Sequence, residues 1–188
     1  MNDISYKKIT NDIINELKAT LEVINENDVN QLINEIFRAE KVFFVGVGRV
    51  LLSLKSIAKR LAHLGITSVI VGDITEPAIT NKDLLIIGSG SGNTLFPVAI
   101  AKKAKEFNAK IVHIGSNPHS KLTELVDLFV RIPVKTKLSL ADEIQSIQPM
   151  TSLFEQSLLL LGDIIALKII RIDGLNMNDL WQYHANLE

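Results

Sequence analysis

Cysteine is absent from the chain, which removes disulfide staples, thiolate-ligated metals and clusters, and a thiol nucleophile. Charge of one sign is lacking too: 20 Lys and Arg stand against 21 Asp and Glu, a formal net charge of -1. Such a balance gives no electrostatic footprint for nucleic acid or an anionic membrane surface. Long apolar runs are missing. The densest, Leu158 to Leu161, stops at Gly162-Asp163, far short of the roughly 20 residues a span needs. The first residues, Met1-Asn2-Asp3-Ile4-Ser5-Tyr6-Lys7-Lys8, carry an early acid and no apolar core, unlike a secretory leader. These absences predict a cytoplasmic protein that engages neither membrane nor nucleic acid. The histidines at 63, 113, 119 and 184 are too scattered for metal-ligand spacing, so no metal is expected.

What remains is a globular composition, 47% hydrophobic over 188 residues, ample for a sizeable core. No repeat, low-complexity tract or linker marks a boundary, so residues 1–188 are expected to form one domain. Residues 1–40 read as amphipathic helices: Ile13, Leu17, Leu21 and Ile24 fall at helical spacing, and Asp28 is placed to cap a second helix carrying Val29, Leu32, Ile33, Ile36 and Phe37.

An α/β core is expected over 41–171, with a C-terminal tail over 172–188. Short, continuously apolar runs at 41–46, 67–71, 83–87, 110–114 and 127–132 suit strands buried on both faces. Helices are expected between them at about 49–64 and 93–107, with a shorter one near 119–125. This rhythm predicts a parallel sheet with right-handed crossovers and helices on both faces. Residues 132–148 read as a polar loop, after which Pro149 opens a strongly apolar helix reaching about Ile170.

Ligands of such sheets bind at the carboxyl ends of strands, and two glycine-rich loops fall there. The first, Gly46-Val47-Gly48-Arg49-Val50-Leu51, has leucine where a dinucleotide fingerprint needs its third glycine, so no nucleotide cofactor is expected. Asp73, which might otherwise hold a ribose, reads as a solvated turn acid. The second loop, Gly88-Ser89-Gly90-Ser91-Gly92-Asn93-Thr94, enters a helix. Its glycines permit close backbone approach, its hydroxyls donate, and the helix presents unpaired N–H groups. Without a lysine it is not a P-loop. An uncharged anion cradle explains it better than serines that merely cap the helix.

Glu155 lies early in the Pro149 helix, with Leu158 and Leu159 at i+3 and i+4. A carboxylate on a face destined for burial must be paired, neutralised or functional. An apolar surround would raise its pKa toward neutrality, as suits a general base. A buried glutamate bonded to backbone N–H or to Arg49 fits the pattern equally well. His63 suits a helix C-terminus, His113 a core position and His119 an exposed loop, while His184 has no packing pattern around it.

These residues also carry a resemblance. Gly46–Arg49 (GVGR), Ala62–Gly65 (AHLG), Ser89–Thr94 (SGSGNT), Ile147–Met150 (IQPM) with Leu153–Ser157 (LFEQS), and His184–Glu188 (HANLE) occur in the order found in the sugar isomerase (SIS) domain family. Within it the chain most resembles the 6-phospho-3-hexuloisomerase branch. The resemblance implies a five-stranded parallel sheet in a flavodoxin-like three-layer sandwich, and subunits assembled as homotetramers with the ligand near an interface. It implies a phosphorylated sugar as ligand, held by Ser89, Gly90, Ser91, Asn93 and Thr94, and Glu155 as the base. His184 is implied to reach a neighbouring subunit's site and assist proton movement or ring opening, while Arg49 or a loop N–H is expected to steady the developing oxyanion and Gly48 to join the phosphate-binding residues.

In the family that loop reads G-x-G-R-S-G. Here Val50-Leu51 follows Arg49, and Ser53, about one turn on, is placed to supply the missing hydroxyl. Asn93 stands where glutamate is common. The expected reaction is metal-free interconversion of 3-hexulose 6-phosphate and fructose 6-phosphate. The alternatives are a non-catalytic sugar-phosphate sensor, or an isomerase of amino sugar or heptose phosphates. Residues 1–40, with eight acidic and four basic residues, speak against a DNA-binding arm.

Overall fold

The structure is a computed structural model that describes residues 4–137 and 139–187. Two N-terminal helices, α1 (Tyr6–Glu22) and α2 (Glu26–Arg38), precede β1 (Val42–Val45), α3 (Gly48–Ala62), β2 (Ser68–Ile70) and β3 (Leu84–Gly88). Then come α4 (Leu95–Glu106), β4 (Lys110–Gly115), β5 (Leu128–Arg131), α5 (Ser152–Asp173) and a 3-10 turn, Asp179–Tyr183. The strands form one sheet in the order β2-β1-β3-β4-β5, and every pairing is parallel.

Because side chains alternate across a strand, β1 divides its residues between two cores. Val42 and Phe44 join α2, α3 and α5 on one face, whereas Phe43 and Val45 join α4 on the other. Both faces are thereby dry, as a parallel sheet requires. α1 lies outside this sandwich, packed along α5. Among the described residues, no helix is long and apolar enough to cross a membrane.

Several local expectations are corrected. Asn25, not Asp28, caps α2, its side chain accepting from Asn27 N and Asp28 N. The segment 119–125 is a run of turns rather than a helix. Ser120 and Thr123 bond each other's hydroxyls and backbone there (Oγ to Oγ1 2.9 Å), the competition that keeps such residues out of helix interiors. Pro149 does not open α5, because Met150 adopts a left-handed φ of 57° and the helix begins only after Thr151. At its other end α5 runs past Ile170 to Asp173, where Gly174 closes it. The polar loop 132–148 carries a parallel bridge, Val134 to Ile144, and buries Glu143.

Candidate active site

From β1 the chain moves outward to β2, then returns past β1 to β3 on its other side. The connections therefore diverge at the carboxyl ends of β1 and β3, the place where open α/β sheets leave a crevice. Both glycine-rich loops leave from it. They lie so close that a Cβ on Gly88 would stand 2.8 Å from Val50 Cγ1, and one on Gly46 would stand 3.3 Å from the Gly88 carbonyl. Val50 thus fills space against the second loop.

The second loop is shaped from behind. Ser89 C=O accepts from His113 Nε2 at 2.9 Å, and Gly90 C=O from Ser116 N and Asn117 N at 3.0 and 3.1 Å. Ser91 C=O accepts from Asn117 Nδ2 and Asn93 Nδ2, each at 3.2 Å. Across a trans peptide, a carbonyl and the following N–H point in opposite directions. The N–H groups of Gly90 and Ser91 are therefore turned away from β4, and among the described residues neither meets an acceptor.

Thr94 is the N-cap of α4 but makes no capping bond; its hydroxyl lies 3.2 Å from Ser89 Oγ instead. The first N–H groups of α4 stay uncapped beside them, and an anion is what such donors suit. Gly92 is required by geometry: its φ is +65°, and a Cβ would meet Ser120 Oγ at 2.1 Å. Asn93 braces the loop, since its Oδ1 accepts from Lys121 N at 3.1 Å while its amide N–H serves Ser91.

Glu155 sits in the first turn of α5, 8% exposed. One carboxylate oxygen accepts from Arg49 Nε and the other from Thr151 Oγ1 at 2.9 Å. The apolar surround inferred from Leu158 and Leu159 is thus replaced by a paired one. Ser53 Oγ donates to the Glu155 carbonyl at 2.9 Å, tying α3 to α5 rather than opening to the crevice. Phe154 lies beneath Gly90, 3.7 Å from a Cβ placed there, so the carboxylate and the loop share one edge of the sheet. Arg49 keeps 66% of its side chain in solvent and follows directly on Gly48. The result is a carboxylate and a guanidinium beside an uncharged bed of donors.

His184 is not brought to Glu155 within the chain. It stacks on His63, ring centroids 5.4 Å apart, and lies 5.3 Å from Trp181. α3 carries the chain from Arg49 at the carboxyl edge to His63 beyond its far end, a rise of about 20 Å. A cleft of about 600 Å³ opens there among Arg60, His63, Asp163, Trp181 and His184. Asp73 is an exposed acid 3.9 Å from Lys55 Nζ. No group of three or more metal-ligating side chains occurs among the described residues.

Two supporting residues escape a reading of the sequence. His113 looks like a core residue, yet its Nε2–H holds the Ser89 carbonyl. Burial pushes its pKa down to about 4, against the opposing effect of that carbonyl, so the ring is neutral at ordinary pH. Being the sole ionisable group within the buried part of β4 was the available signal, because such a group needs a partner. Glu143 accepts from Thr136 N at 3.2 Å and Leu140 N at 2.9 Å, with Ser116 Oγ 2.8 Å away. It fastens the 132–148 segment to the end of β4, and nothing in its neighbours' pattern announces this.

Known proteins place this architecture. The model of the SIS domain family matches residues 35–160. A 3-hexulose-6-phosphate isomerase of Bacillus subtilis is 39% identical over 177 residues, 94% of this chain and 96% of that one. A protein of the same name from Mycobacterium gastri is 36% identical over 193 residues, 99% and 96% of the two chains. A crystal structure from Methanococcus jannaschii, from which a 3-hexulose-6-phosphate isomerase function was inferred, superposes with a TM-score of 0.82 at 32% identity. That superposition covers 96% of this chain and 99% of the other. With a family match over more than half its length and full-length relatives above 30% identity, the chain belongs to the SIS domain family.

Proposed function

We propose that this protein is a phosphosugar isomerase that interconverts 3-hexulose 6-phosphate and fructose 6-phosphate. The observation that carries the reading is the buried Glu155 carboxylate, oriented by Arg49 and Thr151 beside a loop whose Gly90 and Ser91 N–H groups meet no acceptor among the described residues. The names of the full-length relatives supply the sugar. The phosphate sits on the Ser89–Thr94 loop, with the N–H groups of Gly90 and Ser91 and the hydroxyls of Ser89 and Thr94 as donors. Anchored there, the open-chain sugar lays its carbonyl region against Glu155, and this positioning replaces a costly encounter.

Starting from the 3-ketose, Glu155 takes the proton from C2, and the electron pair moves through the new C2–C3 double bond onto the C3 oxygen. Arg49 steadies that oxyanion. The proton then returns to C3 as the C2 hydroxyl passes its own proton to the C3 oxygen and becomes the carbonyl, so nothing is gained or lost. The transfer needs no metal, because the guanidinium supplies the positive charge.

The fold places apolar surface outward on Ile164, Leu167 and Ile172 of α5 and on Trp181. A second copy of the chain covers such a face, and His184 at its rim then reaches the neighbour's site; a monomer in light scattering at micromolar concentration overturns this part. The central experiment incubates the protein with fructose 6-phosphate in heavy water and follows deuterium entering beside the carbonyl by NMR. Exchange is the expected result. Tight binding of the sugar phosphate with no exchange would turn the reading toward a sensor.

A further inference from the structure

α5 carries Glu155, yet its start is not set by an N-cap side chain. Its N-cap, Thr151, makes no capping bond, Met150 before it is left-handed, and Pro149 lies outside it. What fixes the approach is Glu16, on the opposite side of the sequence and outside the matched family region. Its carboxylate accepts from Ile147 N at 2.7 Å, Ser146 Oγ at 2.7 Å and Gln148 Nε2 at 3.0 Å. Ser146 Oγ in turn accepts from Gln148 N at 3.0 Å, so three consecutive residues close around one carboxylate. No cation pairs with Glu16 among the described residues.

Burial opposes its charge, but the donors from Gln148, Ile147 and Ser146 outweigh that and hold its pKa below the usual carboxylate range. Glu16 itself is held: Thr20 Oγ1, buried, donates to its carbonyl at 2.8 Å. From the clamp the connection to the site is short. Pro149 C=O accepts from Ser152 Oγ at 2.9 Å and Ser152 N at 3.3 Å. Thr151 C=O then accepts from Glu155 N at 3.1 Å, while its hydroxyl meets the Glu155 carboxylate.

We infer that Glu16 is a positioning residue, an anionic clamp on Ser146–Gln148 that sets the start of α5 and thereby the seat of Glu155 against Arg49. Its catalytic consequence rests on the reading of Glu155 as the proton carrier; the positioning itself does not. Glu16→Gln keeps the shape but removes the charge and offers an N–H where two donors now converge.

The test uses the full chain and reads position and turnover separately. In the substrate-free protein, the Arg49 Nε–H resonance reports its bond to Glu155, and the Ile147 amide reports the clamp. Glu16→Gln is expected to lose Ile147 exchange protection and to shift or broaden the Arg49 signal. Deuterium exchange into fructose 6-phosphate should slow about tenfold to a hundredfold, the order expected when a reacting group is displaced by part of an ångström to one ångström. Affinity for the sugar phosphate should stay within about twofold, since a separate loop holds the phosphate. Gln148→Ala, which leaves α1 intact, should act in the same direction more weakly, and Glu22→Gln, an exposed change on the same helix, should do nothing.

An unchanged Arg49 resonance in Glu16→Gln overturns the inference, as does turnover that falls only in step with stability and affinity. If the resonance shifts but the wild-type protein exchanges no sugar phosphate, the positioning stands and the isomerase reading fails.

Discussion

The Gly88–Thr94 loop and the Glu155 constellation share one edge of the sheet but are held by opposite means. The loop is a main-chain structure, its carbonyls drawn back by His113, Ser116 and Asn117 so that the Gly90 and Ser91 N–H groups face outward. Glu155 is a side-chain structure, assembled from α3, the N-cap of α5 and the backbone behind it. The first depends on contacts to the adjacent strand, the second on residues as far apart as Arg49 and Glu155. On the proposed function, such a division lets binding and chemistry be damaged separately.

The largest expected effect is on chemistry. Glu155→Gln keeps the bond to Thr151 available but cannot accept a proton, so turnover should fall about 10²–10⁴-fold. Affinity for fructose 6-phosphate, measured by calorimetry, should barely move. A well-folded variant exchanging at the wild-type rate would pass the proton-carrier role elsewhere, and His184 would be next.

The intermediate effect is on the support behind the loop. His113 has a folded pKa of about 4 against an ordinary 6.5. Between those values the unfolded chain takes up a proton that the folded chain refuses, so stability rises with pH across this window. The contribution is complete above about 6.5 and lost toward about 4, on the order of 3 kcal/mol in all. Thermal melts should show this slope in the wild type and a flatter one in His113→Gln; identical slopes would remove His113 as the cause. Glu16 and Asp83 have lowered carboxylate pKa values, Asp83 because bonds from Lys41 and Thr80 outweigh its burial. Their contributions are present above the ordinary carboxylate range and fade only at lower pH.

The smallest effect falls on the loop's hydroxyls. Ser89→Ala with Thr94→Ala removes two donors of about 0.5–1.5 kcal/mol each, so affinity should weaken roughly tenfold, less than a loop relying on side chains alone would lose. Unchanged affinity would leave the main-chain N–H groups as the whole of the anion site.

The same division explains what a sequence reader can see. Strands buried on both faces announce themselves as continuous apolar runs, and the five runs fall within a residue or so of the observed β1 to β5. The glycine-serine loop is legible because backbone freedom has its own residue types. Glu155 stands out as a charge amid leucines, but that it is paired with Arg49 is set by the crossing of α3 and α5, which no local pattern encodes. Glu16 looks like any polar position on an amphipathic helix, because its three donors lie some 130 residues away. Pro149 misleads for a related reason: proline suits a first turn, yet Glu16 holds the chain just upstream and Met150 turns left-handed before the helix can begin.

The backward-turned carbonyls of residues 89–91 carry an evolutionary consequence. Donors that belong to the peptide chain are not altered when codons drift, so long as glycine persists where a Cβ would collide. On the proposed function, a neighbouring side chain such as Val50 can then change, and with it the rest of a ligand that fits, while the main-chain donors are inherited unaltered. If the loop holds the phosphate as proposed, a lineage built on it can explore new sugars without first relearning that grip.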